Sequence, residues 1–149
     1  MLLSTLYTPD VVTCGPSTTA LAAARLMRER HAGDLVVTEA PESERIPLGL
    51  VTDRDNVVEV LALGLDPATT PVTAFMRRPL VLAQDTDDAS QAIQRMREHG
   101  VRRLPVIGRD HRLVGILALD DLLREFAHGA TALVDIIAAE QNRERRQRR

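Results

Sequence analysis

The chain has 149 residues, a formal net charge of −2 and 44% apolar residues, enough for one compact core or for two small halves that share one. Aromatic residues make up 2% and Trp is absent, which excludes a base-stacking platform for single-stranded nucleic acid, and the charge balance offers DNA no basic field. One cysteine, no apolar run near the ~18 residues of a membrane span, and no basic leader at MLLSTLYTPD together predict a cytoplasmic protein with no membrane anchor, disulfide or cysteine-cluster zinc site.

In chain order, a short strand is predicted at 11–13, followed by a Ser/Thr-rich turn of N-cap type and a helix over 17–31. Cys14 falls in that strand-to-helix turn, where it reads as a small packing residue rather than a nucleophile, having no basic partner nearby in sequence. Strands at 35–38 and 47–51 form a hairpin across the polar turn 39–46, and a helix over 53–64 ends at Gly64. GLDPATTP (64–71) is a linker. The same order then recurs: strand 80–82, helix 86–99, a hairpin of 103–107 with 112–117 around GRDH, and helix 119–128.

The recurrence is an internal repeat. At a shift of 69, LMRERHAGDLVV (26–37) falls on RMREHGVRRLPV (95–106), and the stripe Ala20, Ala23, Ala24, Met27 falls on Ala89, Ala92, Ile93, Met96. Both stripes follow i, i+3, i+4, i+7, the spacing of one buried helix face. GLVTDRD (49–55) and GILALDD (115–121) align at a shift of 66, the difference falling in the turn at 39–46. The fold class is α/β (α+β), with two pseudo-symmetric β-α-β-β-α units packed as one module. The boundaries read as 1–66, 67–128, and a C-terminal amphipathic helix with an Arg-rich tail at 129–149. The stripe Ala130, Leu133, Val134, Ile137, Ala138 predicts that 130–139 is helical and covered on one face. EQNRERRQRR, with five Arg against two Glu, reads as a solvated terminus in which order fades.

In each repeat a Gly at the strand end allows close approach to the backbone, a hydroxyl can cap the next helix, and an Asp three residues on can accept hydrogen bonds. Thr52 and Asp55 supply hydroxyl and carboxylate; the second copy keeps Asp121 but has Ala118. The four histidines are scattered without paired spacing, which gives no metal site, and no Walker loop or Ser-His-Asp spacing points to an enzyme.

The doubled arrangement, with HGVRRLPVI (99–107), RLVGILALDDLL (112–123) and IPLGLVTDRD (46–55), resembles the tandem cystathionine β-synthase (CBS) domain pair, or Bateman module, over residues 5–128. The resemblance implies two pseudo-equivalent clefts between the repeats, a regulatory rather than catalytic role, and in many members binding of AMP, ADP, ATP or S-adenosylmethionine. Carried over by position, Thr52 and Asp55 face Arg102 and Arg103, with Thr73 and Arg78 joining from the linker. Asp121 and Ala118 face Gly33 and Asp34, joined by Ser4 and Pro9. One cleft then gathers a hydroxyl, a carboxylate and guanidinia; the other gathers carboxylates and no Arg. The expectation is one nucleotide in the first cleft, a homodimer, and an unidentified regulated protein. The alternative is a ligand-free interaction and dimerisation module.

Overall fold

A computed structural model describes residues 1–39 and 45–147; most of the predicted turn at 39–46 and the last two residues of the tail lie outside them. Two three-stranded sheets carry the repeat. The first runs β1 (Thr13–Cys14), β2 (Asp34–Glu39) and β3 (Ile46–Thr52); the second runs β4 (Ala83–Gln84), β5 (Arg103–Ile107) and β6 (Leu113–Ala118). In each, the outer short strand pairs parallel to the middle one and the hairpin is antiparallel. Both hairpins slip register at the same place in the repeat, between Val37 and Thr38 and between Val106 and Ile107. The short strands lie about two residues later than the apolar triplets 11–13 and 80–82 suggest. Val11 instead packs between the repeats with Val36, Leu50 and Leu113.

Helix α1 (Ala20–Arg30) starts at the Thr19 cap, whose side chain accepts from the Ala22 amide, and ends at His31 in the left-handed region. Helix α3 (Ala89–His99) starts at a capping box between Asp88 and Gln91 and ends at Gly100 with φ 64. Both begin about three residues later than read from the sequence, because the Ser/Thr/Asp stretch is spent on the turn and the cap. Helix α2 opens at Asp53–Asp55, continues with π-type turns over Asn56–Leu61, and stops before Gly64.

Helix α4 spans Leu119–Gln147 without a break. The predicted stop at 128 and the fading of order beyond 140 are therefore corrected. Gly129 weakens a helix by about 1 kcal/mol relative to Ala, but no proline follows it, whereas Gly64 is followed by Pro67 and Pro71. Residues 130–139 are helical as read, but Leu133, Val134, Ile136 and Ile137 are 56–66% exposed, so nothing among the described residues covers the stripe.

The two repeats exchange their leading segments. The turn Leu3–Thr5 packs Leu3 into the core of the second repeat beside Ala92, Leu104 and Leu117, with Leu6 and Tyr7 against it. The equivalent turn Val72–Ala74 packs Val72 and Met76 into the core of the first beside Ala23, Leu35 and Val51. Thr8 exchanges backbone hydrogen bonds of 2.9 Å with Ile116 of β6, and the Arg77 amide donates to Leu50 of β3 at 3.0 Å. Gly49 and Gly115 make this possible. A Cβ on Gly49 would sit 2.5 Å from the Met76 sulfur, and one on Gly115 would run into the Tyr7 ring. The close approach read into these glycines is thus made by the chain's own exchanged segments.

Candidate functional site

The end of β3 turns into α2 through Thr52, and the reason is local. The Thr52 hydroxyl accepts from the Asp55 amide at 3.2 Å, and the Asp55 carboxylate accepts from the Thr52 amide at 2.9 Å. This closed capping box fixes the first turn of α2 beside a cavity of about 240 Å³ between the repeats. Its apolar floor is Leu50, Leu80, Val81 and Val101. Its polar wall is Thr52, Asp53, Arg54, Arg77, Arg102 and Arg103, four guanidinia against one carboxylate. The volume lies just below the ~300–1,000 Å³ of small-molecule clefts.

Of the residues read from the sequence, Thr52, Arg102 and Arg103 line this cavity. Asp55 stands behind it, buried, with its second oxygen accepting from Arg77 Nη2 at 3.2 Å and Nε at 3.3 Å. Thr73 and Arg78 turn away from the lining: Arg78 Nη2 donates to the Thr73 carbonyl at 2.8 Å on the exposed surface. Arg77 takes the place read for Arg78. The backbone of Arg77 bridges to Leu50, and the alternation of the extended chain then sends neighbouring side chains to opposite faces. Arg54 was also missed; its position in the first turn of α2, one residue before Asp55, was the available signal.

The second cleft departs from the expectation of carboxylates without Arg. Asp34 is ion-paired with Arg103 across the repeats, and Asp121 accepts from Arg124 Nη1 at 3.2 Å and from the Ala118 amide at 2.9 Å. Ser4 and Pro9 are exposed, the Pro9 carbonyl accepting from Val11. Burial pushes the Asp34 carboxyl up from its ordinary value, Arg103 pulls it down and Asp53 pushes it up again. Arg102 is exposed, with Asp120 at 3.8 Å. Burial raises the Cys14 thiol, which keeps it protonated and fits a packing role. Among the described residues no cluster of three or more His, Cys, Asp or Glu could hold a metal ion, and no described helix is long and apolar enough to cross a membrane.

The CBS domain family model matches residues 3–55 and 72–128, the same two segments whose leading turns are exchanged. Hypoxic response protein 1 of Mycobacterium tuberculosis is 38% identical over 120 residues, covering 80% of this chain and 81% of that one. A crystal structure of Hypoxic Response Protein I with two coordinated zinc ions superposes with a TM-score of 0.73 at 34% identity, covering 83% of this chain and 98% of that one. The protein PAE2072 of Pyrobaculum aerophilum, solved in complex with AMP, gives a TM-score of 0.72 at 27% identity over 82% of this chain and 90% of that one. An uncharacterized protein of Methanopyrus kandleri is 30% identical over 115 residues, which span 57% of its length. With both repeats matched and the two sheets in the expected topology, the chain belongs to the CBS-domain family, as a tandem pair.

Proposed function

We propose that the chain is a cytoplasmic regulatory protein that binds one adenine nucleotide of the AMP, ADP or ATP class between its repeats and passes that signal to a partner protein. The observation that carries the reading is the wall of Arg54, Arg77, Arg102 and Arg103 beside an apolar floor. An adenine ring suits the Leu50, Leu80, Val81 and Val101 surface, and phosphate oxygens suit planar guanidinia. Thr52, capped through its acceptor lone pair, still has its own O–H to donate to a ribose or phosphate oxygen. AMP in the PAE2072 complex supports the ligand class; S-adenosylmethionine is the competing ligand, and its cationic sulfonium fits a guanidinium wall less well. The wall of guanidinia over an apolar floor supports a binding and regulatory role.

The test is a thermal-shift and calorimetric titration of the full chain against AMP, ADP, ATP and S-adenosylmethionine. A nucleotide at ~100 times its dissociation constant adds about 2.7 kcal/mol to stability. Arg77→Ala or Arg103→Ala is expected to weaken binding roughly 10- to 100-fold, the loss of one charge-assisted hydrogen bond. No shift with any of the four ligands refutes the reading. In that case the second reading, an interaction module that works through self-association, stands on the exposed apolar face of α4.

A further inference from the structure

Helix α4 leaves the body of the molecule soon after it starts. Leu122 is buried and Leu119 packs against the second core, but every residue from Phe126 to Gln147 is exposed. At 1.5 Å per residue this is about 30 Å of helix standing clear, although most helical stability in proteins comes from packing an amphipathic face. Its exposed seam is Phe126, Ala130, Leu133 and Ile137, spaced four, three and four, the pattern of a two-helix contact. Ile136 and Val134 flank it, each 63% exposed.

We propose that this overhang is a self-association surface that pairs antiparallel with α4 of a second copy. The inference deepens the self-association included in the functional reading and does not depend on the ligand. Charge selects the direction. Past Ile137 the seam carries Glu140 and Glu144. A parallel, in-register pair stacks these carboxylates on their own copies. The antiparallel pair sets Leu133 against Ile137 of the second copy and parts the like charges, placing Glu140 opposite Ala130 and Glu144 opposite Phe126 at the two ends of the contact. Glu125 and Arg143 lie along the Ile136 edge of the same helix, and neither has an ion-pair partner among the described residues. Antiparallel pairing centred near residues 134–135 brings Glu125 of each copy opposite Arg143 of the other. Covering Phe126, Leu133, Val134, Ile136 and Ile137 on both copies removes on the order of 1,000 Å² of surface, about the threshold for a specific interface.

The test is light scattering on the full chain at micromolar concentration, with five variants, the cysteine variant read by cross-linking. The wild type is expected to be a dimer and Ile137→Asp a monomer; Ile137 is exposed in the single chain, so its melting before dimerisation is unaffected. Glu125→Arg or Arg143→Glu alone is expected to raise the dissociation constant about tenfold, and the double exchange to restore it, which loss of folding cannot mimic. Val134→Cys is expected to cross-link to itself without reductant, since residue 134 lies at the centre of the antiparallel pair and faces its own copy; the native Cys14 is buried. A dimer indifferent to Ile137→Asp and to the charge exchange overturns the α4 pairing while leaving self-association through another face. A monomeric wild type overturns both.

Discussion

At Asp34 three charges meet: its own carboxylate, the Arg103 guanidinium that pairs with it, and Asp53. Burial dominates, so the folded-state value lies above the ordinary one. Such a group favours the folded chain below its unfolded value, and that contribution is lost as pH rises through the folded value. Asp34→Asn removes the dependence. The melting temperature of the variant relative to wild type is expected to rise as pH increases above about 4; a difference that stays flat as pH increases refutes the assignment. The same substitution leaves Arg103 without its resident carboxylate, so nucleotide binding at neutral pH is expected to tighten several-fold in calorimetry. The neighbouring question of Thr52 and Ala118 has a structural answer. Thr52 completes a reciprocal capping box, whereas at Ala118 only the Asp121 half survives. Ala118→Thr is expected to add about 0.5–1 kcal/mol of stability, read as a higher denaturation midpoint, without creating a second nucleotide site. An unchanged or lower midpoint counts against the missing-cap account.

The exchanged segments are elements that local patterning conceals. The stripes of α1 and α3 and the hairpins were legible because each is specified by residues a few positions apart. The turns Leu3–Thr5 and Val72–Ala74 draw their stability from the other repeat, and no periodicity in LLSTLY or VTAFM announces which core receives them. That is why Arg77 was missed and Arg78 taken in its place: the register follows from the bridge between Arg77 and Leu50, a contact 27 residues long in sequence. The glycines record the arrangement. At Gly115 an added Cβ also meets the Thr8 carbonyl at 2.8 Å, and backbone cannot swing aside as a side-chain end can. Gly115→Ala is expected to cost about 1–3 kcal/mol. Pairing it with Tyr7→Ala should recover part of that loss, because the ring is the nearest obstacle; strict additivity of the two would place the obstacle elsewhere. Helix α4 was half legible for the opposite reason. Its stripe was plain, but the sequence contains no signal for a surface supplied by another molecule.

Across the whole molecule the two halves are close copies in topology and unlike in charge. Helices α1 and α3, the middle strands and the register slips repeat at a shift of 69 and the closing strands at 66, and the exchange of leading segments ties each half to the other, so neither is expected to fold alone. Around the first cleft stand Arg54, Arg77, Arg102 and Arg103. Their counterparts by repeat are Asp120 for Arg54, Thr8 for Arg77, and Gly33 and Asp34 for Arg102 and Arg103. The positions that supply cations to the first cleft are thus a hydroxyl, a backbone and two carboxylates in the other copy of the repeat. Arg124 pairs with Asp121, while Arg103 and Arg77 keep carboxylate partners in Asp34 and Asp55 and still line the first cleft. An incoming phosphate gains charge-assisted hydrogen bonds of about 1.5–3 kcal/mol each in the first cleft and meets carboxylates in the second. A titration of AMP, ADP or ATP into the chain is therefore expected to saturate at one nucleotide per chain, and Arg103→Ala to weaken that single event rather than to reveal another. Two equivalent sites, or binding that survives Arg77→Ala and Arg103→Ala together, would show that the asymmetry of charge does not select the site.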